Sequence, residues 1–262
     1  MRYAASVLVI PNHKTLLGRL LRLPLRLVPR AAVVSVLSGE LRGAKWIVGA
    51  ANHGCWMGTY ERRQCTLFRH LMSEGSVLYD VGAHAGYYAL IGSRLVGESG
   101  KVFAFEPLPR NLWYLREHIR LNAAHNITVI DSAVCGKSCK MRFRTGSSVG
   151  GHIDTSGDLV VNGVDLDGLS AQGIPQPDFI KMDIEGAELE ALSAAREVLM
   201  HKQPIVFLST HGSNIHEHCL AYLKDLGYYT KVIERKRHDQ YEVLCSTSAD
   251  VIRLSSQVLG NG

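Results

Sequence analysis

The chain has 262 residues, 46% of them hydrophobic and 20% charged, an ordinary globular balance that allows one large domain with a full core or two small ones. Its formal charge of +5 is concentrated ahead of the first acid, Glu40, where Arg2, Lys14, Arg19, Arg22, Arg26 and Arg30 lie. The rest is close to neutral, which argues against a nucleic-acid partner. No apolar run reaches the ~18–20 residues that span a bilayer, and the apolar start is too short for a signal peptide.

The first 38 residues form a basic segment. Arg19, Arg22, Arg26 and Arg30 are spaced to share one helical face among leucines. Pro24 and Pro29 break any single long helix. Two short packed helices, a peripheral membrane contact through residues 13–37 and an organelle-targeting peptide are all consistent with that pattern. Residues 39–61 read as a small hairpin with Gly and Asn turns. A helix follows, with Cys65, Leu67, Phe68, Leu71 and Met72 as its apolar stripe and Gly75 as its stop. The span 39–75 thus forms an extension ahead of a core at 76–250, with 251–262 as a tail.

The core opens with "SVLYDVGAHAGYYALIGSRL", a strand, a tight glycine turn and a helix. This is the start of a doubly wound α/β sheet, in which ligands bind beyond the carboxyl ends of the strands. A dinucleotide fingerprint needs glycine two residues after Gly82, and this chain has His84. Asp80 ends the strand before the turn. An acid there suits a cofactor carrying an ammonium and a sulfonium rather than two phosphates. The second strand, "KVFAFEP", ends in Glu106, an acid placed for both ribose hydroxyls. The third, "NITVIDSAV", ends in Asp131, Ser132 and Ala133, which read either as an adenine contact or as a plain turn.

The fourth strand is "DFIKMDIEGAE". Lys181 and Asp183 share a strand face, and read as a catalytic pair or as a structural ion pair. Glu185 and Glu188 read as the acidic first turn of the next helix. "PIVFLST" is a fifth strand, followed by His211, "HEHCLAYLKDLG" a helix stopped by Gly227, and "YYTKVI" with "QYEVLCS" a closing hairpin. His216 and His218, two apart, fall on different helix faces and do not suggest zinc. The six cysteines, at 55, 65, 135, 139, 219 and 245, have no zinc-site spacing either. Reduced thiols, and with them a cytoplasmic location, are expected.

The motifs "YDVGAHAGYYAL", "VFAFEPLPRNLWYLREHIRLN" and "PDFIKMDIEGAELEAL", with "WMGTYE" upstream and "VDLDGL" before the fourth strand, resemble the FkbM family of S-adenosylmethionine-dependent methyltransferases over roughly residues 40–235. The resemblance implies a Rossmann-like class I fold with a seven-stranded sheet whose last strand is antiparallel, and O-methylation of a sugar or natural-product hydroxyl. It assigns S-adenosylmethionine to Asp80, Gly82, Ala83, His84, Gly86, Tyr87 and Glu106. Asp131, Ser132 and Ala133 hold the adenine, and Glu61 of "WMGTYE" joins the same site. Chemistry falls to Asp183 as orienter or proton acceptor, Lys181 as its partner, and His211 as the alternative base. A single Mg²⁺ on Asp183 lacks a visible ligand trio. The family often carries an acid just before that histidine; Ser209 and Thr210 stand there instead. Competing readings are an NAD(P)-binding oxidoreductase and a catalytically silent S-adenosylmethionine-binding protein. The acceptor's identity is expected to be read by residues 39–61, 140–165 and the loops after strands four and five.

Overall fold

The computed structural model of the chain describes residues 27–136, 139–145, 151–153, 157, 159–236 and 239–260. Most of the basic segment, residues 1–26, lies outside the described residues, so its expected helices and membrane contact are not addressed by the fold. Seven strands form the central sheet: β3 (Val77–Val81), β4 (Lys101–Phe105), β5 (Ile127–Ile130), β10 (Phe179–Met182), β11 (Ile205–His211), β12 (Tyr229–Arg235) and β13 (Gln240–Ser246). Their order is β12-β13-β11-β10-β3-β4-β5. From β11 to β5 every pairing is parallel, while β13 runs antiparallel to both β11 and β12. The order reverses between β3 and β10, which opens a crevice beyond their carboxyl ends.

Both faces of this sheet are buried, so its strands read as near-continuous apolar runs. Alternation still sorts the side chains. Leu78, Val102, Phe179, Phe207 and Leu244 belong to one core cluster. Tyr79, Phe103, Ile180, Leu208 and Val243 belong to the other. Helices α2 (Arg62–Leu71), α3 (Tyr87–Val96) and α4 (Pro109–Leu121) contribute Phe68, Ile91 and Leu115 to the first. Helices α5 (Glu188–Ser193) and α6 (Ser213–Asp225) contribute Leu192 and Leu223 to the second. Asp80, Lys181, Ser209 and Glu242 alternate onto the first face, so four polar side chains enter a mostly apolar layer.

The extension differs from the expected hairpin at 39–61. Its strands are β1 (Val33–Ser35) and β2 (Lys45–Ile47), antiparallel. Residues His53–Met57 are instead a short helix, α1. Asn52, read as a turn residue, caps that helix by accepting the Gly54 N–H at 2.8 Å. Gly58 ends it with φ +72, where a Cβ would lie 1.8 Å from the Ser38 carbonyl oxygen. Helix α2 stops at Leu71, ahead of Gly75. The third strand is also shorter than expected, because Ala133–Val134 (β6) leaves the sheet. There it joins β7 (Cys139–Thr145), β8 (Gly151–Ile153) and β9 (Leu159–Val164) in a second sheet of order β6-β9-β7-β8. The expected tail at 251–262 is a helix, α7 (Ala249–Gly260), whose Val251, Ile252 and Val258 pack on the first core.

One buried histidine joins the extension to the core. His118 of α4 is fully buried. Its Nε2 accepts the Ile47 N–H at 2.9 Å, so its Nδ1 carries the proton and donates to the Ala85 carbonyl at 2.7 Å. The ring also stacks on Trp46, 4.0 Å between centroids. Burial pushes its pKa down to about 4 although the Ala85 carbonyl pulls it upward. The native state therefore refuses a proton that the unfolded chain binds below ~6.5. Stability is complete above that pH and falls as pH drops toward about 4. We expect His118→Gln to lose most of this acid sensitivity. In urea melts between pH 7 and 4, the difference between wild type and variant should shrink by roughly 3 kcal/mol as pH falls. A constant difference contradicts the assignment.

Candidate active site

A cavity of ≈ 580 Å³ opens at the reversal of strand order, within the size range of small-molecule sites. Asp80, Gly82 and His84 line it from the β3 turn, Glu106 and Leu108 from the end of β4, and Ser132 and Ala133 from beyond β5. Lys181, Asp183 and Glu185 supply its β10 side, and Asn52, Cys55 and Tyr60 of the extension line it as well.

The β3 turn is shaped by close approaches. Gly82 has φ +82, and a Cβ there would sit 2.0 Å from the Asp183 carbonyl oxygen. The cofactor-side turn and the end of β10 are thus packed backbone to backbone, which only glycine permits. Gly86 (φ +89) opens α3, and a Cβ on it would meet Leu115 Cδ1 at 2.6 Å. His84 carries a positive φ of 50°. Its backbone N–H donates to Glu106 Oε2 at 2.8 Å, while Leu108 N–H and Asn111 Nδ2 donate to Oε1 at 2.9 and 3.3 Å. Burial raises the Glu106 pKa, and those three donors oppose the rise. A carboxylate so held keeps acceptor capacity for a diol at the cavity.

Asp80 is buried, and its Oδ2 has no hydrogen-bond partner among the described residues. Burial pushes its carboxyl up to about 7, against the pull of Lys181 and the Ala89 amide; Asp183 and Glu106 add to the rise. An orphaned buried carboxylate oxygen on a cavity wall fits a cationic ligand group such as an ammonium. The residues present therefore suit S-adenosylmethionine: Asp80 for the ammonium, Glu106 for the ribose, and Ser132 with Ala133 at the adenine end.

Three residues assigned to the cofactor lie outside the cavity lining: Gly86, which packs against Leu115, Asp131 and Glu61. Asp131 is exposed and pairs with Arg116 at 3.1 Å, outside the lining of the cavity. Its strand ends one residue earlier, so the side chain faces solvent, while Ser132 and Ala133 turn inward. Glu61 is not on the cavity wall either. Its neighbour Tyr60 is, while Glu61 itself accepts the Tyr88 hydroxyl and the Lys236 ammonium. Tyr87 lines the cavity from the first turn of α3.

Glu61 belongs to a ring of polar groups built around Lys181. Lys181 is fully buried, and its Nζ donates to Ser209 Oγ at 2.6 Å. Ser209 donates to Glu242 Oε2 at 2.7 Å, and Glu242 Oε1 accepts from Lys236 at 2.6 Å. Lys236 reaches Glu61, and Glu61 accepts from Tyr88, whose ring lies 5.3 Å from Lys181 Nζ. Burial alone lowers a lysine pKa; the charges of Asp183, Glu242 and Glu61 outweigh it here and hold Lys181 above its ordinary value. The carboxylate absent at Ser209 is supplied by Glu242, its cross-strand partner on β13.

At the mouth, Lys181 Nζ lies 3.7 Å from Asp183 Oδ2, and His211 Nε2 lies 3.5 Å from Asp183 Oδ1. The expected trio of Lys181, Asp183 and His211 is thus brought together, with Lys181 and Asp183 on the cavity wall and His211 behind Asp183. Sequence reasoning missed Glu188, which is no exposed dipole-capping acid but a fully buried partner of His211 Nδ1 at 2.7 Å. It also missed Glu242, although a lone acid inside the apolar strand "QYEVLCS" was a signal for it. His216 stacks on Tyr241 and bonds Thr210 through Nδ1. Among the described residues no group of three or more His, Cys, Asp or Glu is placed to hold a metal ion.

The chain is similar to known methyltransferases. The pattern of the methyltransferase FkbM domain matches residues 80–229. A hexuronic acid methyltransferase, AglP of Haloferax volcanii, is 26% identical over 174 residues, covering 65% of this chain and 70% of that protein. Among solved structures, a methyltransferase FkbM from Methylobacillus flagellatus superposes with a TM-score of 0.50 at 17% identity, over 75% of this chain and 55% of that one. An S-adenosylmethionine-dependent O-methyltransferase from Thermotoga maritima gives 0.51 at 14% identity, over 72% and 66%. At these identities the structures speak for the shared fold alone.

Asp80 gives this site a testable signature. Since an ammonium binds the carboxylate and not the carboxylic acid, affinity for S-adenosylhomocysteine should rise with pH through about 7 and then level off. Asp80→Asn should weaken binding by tenfold or more, about 1.4 kcal/mol, and flatten the pH dependence. Calorimetry between pH 5.5 and 8 checks both; equal affinity in the variant would remove Asp80 from the site.

Proposed function

Since the chain belongs to the FkbM family of S-adenosylmethionine-dependent methyltransferases, we propose that it is an O-methyltransferase acting on a hydroxyl of a glycan, with hexuronic acid residues the first acceptors to try. Family membership sets aside the oxidoreductase reading. The observation that carries the proposal is Asp183, on the cavity wall between Lys181 Nζ and His211 Nε2. A carboxylate or other anionic acceptor needs no base. An aliphatic hydroxyl does, and a positioned base contributes about 10²–10⁴ in rate. The acids Asp183 and Glu185 also line the mouth, which disfavours an acceptor carboxylate at the reacting position and favours hydroxyl donors.

Bound in the cavity, S-adenosylmethionine supplies a methyl group already activated by its sulfonium. The protein's work is then alignment, exclusion of water and disposal of one proton. Asp183 orients the acceptor hydroxyl and takes its proton. Lys181, charged and fixed by Ser209, holds Asp183 in place. Tyr60, Cys55 and Asn52 also line the cavity. These three come from the extension, so acceptor choice depends on it as much as on the core. The hexuronic acid suggestion rests on the AglP relative.

Asp183→Asn keeps the shape and removes the proton acceptor. We expect its affinity for S-adenosylhomocysteine to stay within about threefold of wild type, while labelled-methyl transfer falls by about 10² or more. The product should be an alkali-stable ether; an alkali-labile methyl ester would show a carboxyl acceptor and overturn the proposal, as would an active Asp183→Asn.

We also propose that the chain works in a reducing compartment, as buried thiols at Cys55, Cys65, Cys219 and Cys245 suit, and that its basic amino-terminal segment touches anionic membrane. No helix among the described residues is long and apolar enough to cross one. Removing residues 1–26 should abolish flotation with phosphatidylserine liposomes and spare the fold; equal flotation ends the membrane proposal.

A further inference from the structure

The connection from β10 to α5 passes through two successive residues in the left-handed region. Glu185 and Gly186 both have positive φ, 55° and 106°, a strained conformation for the non-glycine residue. The reversal brings Glu188, the first residue of α5, under His211. Its carboxylate is fully buried, a costly position for a charge without close partners. Oε1 receives His211 Nδ1 at 2.7 Å and the Gly186 N–H at 3.0 Å. Oε2 has no hydrogen-bond partner among the described residues. A strained turn and a buried acid together serve one contact, the one to His211.

That contact fixes the imidazole. With Nδ1–H donated to Glu188, the neutral ring presents the lone pair of Nε2 to Asp183 Oδ1 at 3.5 Å, with Glu185 Oε2 at 3.8 Å. We propose that Glu188 is a positioning residue for methyl transfer: it holds His211 in the tautomer whose Nε2 receives, through Asp183, the proton lost by the acceptor hydroxyl. In the step, the acceptor oxygen–carbon bond forms as the methyl–sulfur bond breaks, and sulfur keeps the electron pair. The proton passes to the Asp183 carboxylate and on to Nε2, so Asp183 is again an anion, and the imidazolium rests between acids. This extends the reading of Asp183 as the group facing the acceptor and rests on it.

The surroundings favour that imidazolium. Asp183 and Glu185 face it from the turn and Glu188 from α5. On β11, Thr210 is bonded to His216 of α6. Gln240 on β13 lies opposite His211, and Glu242 lies opposite Ser209 and bonds it. Asp239 pairs with Arg235, and Lys181 faces Asp183 from β10. Burial lowers the His211 pKa, but the Glu188 hydrogen bond and the charges of Asp183, Glu188 and Glu185 outweigh it and raise the value above ~6.5.

Glu188→Gln tests the proposal, because it keeps an oxygen for Nδ1 and the side-chain shape while removing the charge. His211 then loses its proton at lower pH. The acid limb of the kcat profile should move the same way, and kcat at pH 6, as a share of each protein's own plateau, should rise at least about threefold. The His211 ring resonances, followed by NMR in the full-length protein, should titrate lower than in wild type. His211→Gln, which cannot take the proton, should lose the limb. An unmoved limb with unmoved resonances in Glu188→Gln, or a limb that persists in His211→Gln, overturns the proposal. Activity in Asp183→Asn would instead overturn the underlying reading, so the two failures are distinguishable.

Discussion

An ammonium sealed under the carboxyl end of the central sheet is the constraint around which the active site is arranged. Lys181 occupies a core-facing position of β10, between Asp80 on one neighbouring strand and Phe207 on the other. A charge there is tolerable only with partners. Ser209, Glu242, Lys236, Glu61 and Tyr88 provide a closed circuit of them, drawn from β11, β13, the β12–β13 connection, the extension and α3. The circuit alternates sign and carries no net charge. The proposed cofactor and reaction sides meet at the same lysine, since Asp80 and Asp183 flank it along one face.

This arrangement explains features that otherwise look unrelated. Glu61 stands just before α2 and next to Tyr60, so Lys236 ties the wall over the cavity to the far edge of the sheet. Serine at 209 is needed because the ammonium and the Glu242 carboxylate approach from opposite sides, and a hydroxyl can accept from one while donating to the other. Glycine at 82 lets the β3 turn touch the end of β10, and the charge of the same ammonium acts on both Asp80 and Asp183.

Much of the plan is legible in the sequence. Apolar runs ending in Asp80, Glu106 and Asp183 mark three strand ends, and the glycines after Asp80 mark the turn between them. The seven-stranded order and the antiparallel closing strand agree with the fold implied by the family resemblance. What could not be read depends on distance in sequence or on orientation. Glu188 reads as a helix-capping acid until the left-handed pair Glu185–Gly186 turns it inward, and no local pattern announces that reversal. Glu242 lies far along the chain from Ser209 and meets it only through strand register. Asp131 has the residue type expected of an adenine contact, but β5 ends too soon for its side chain to turn inward, and Arg116 takes it. The extension misled because Asn52 and Gly58 serve both turns and helix ends; here they cap a short helix.

We propose that one buried ammonium supports both cofactor binding and proton removal. Lys181→Met, similar in length and free of charge, tests it most directly when S-adenosylhomocysteine affinity and methyl transfer are measured on the same folded sample. Asp80 and Asp183 then lose the positive charge that acts on both, so both quantities should fall, each by tenfold or more, about 1.4 kcal/mol or more apiece. A folded Lys181→Met protein that binds the cofactor product and transfers methyl groups as wild type does would contradict it.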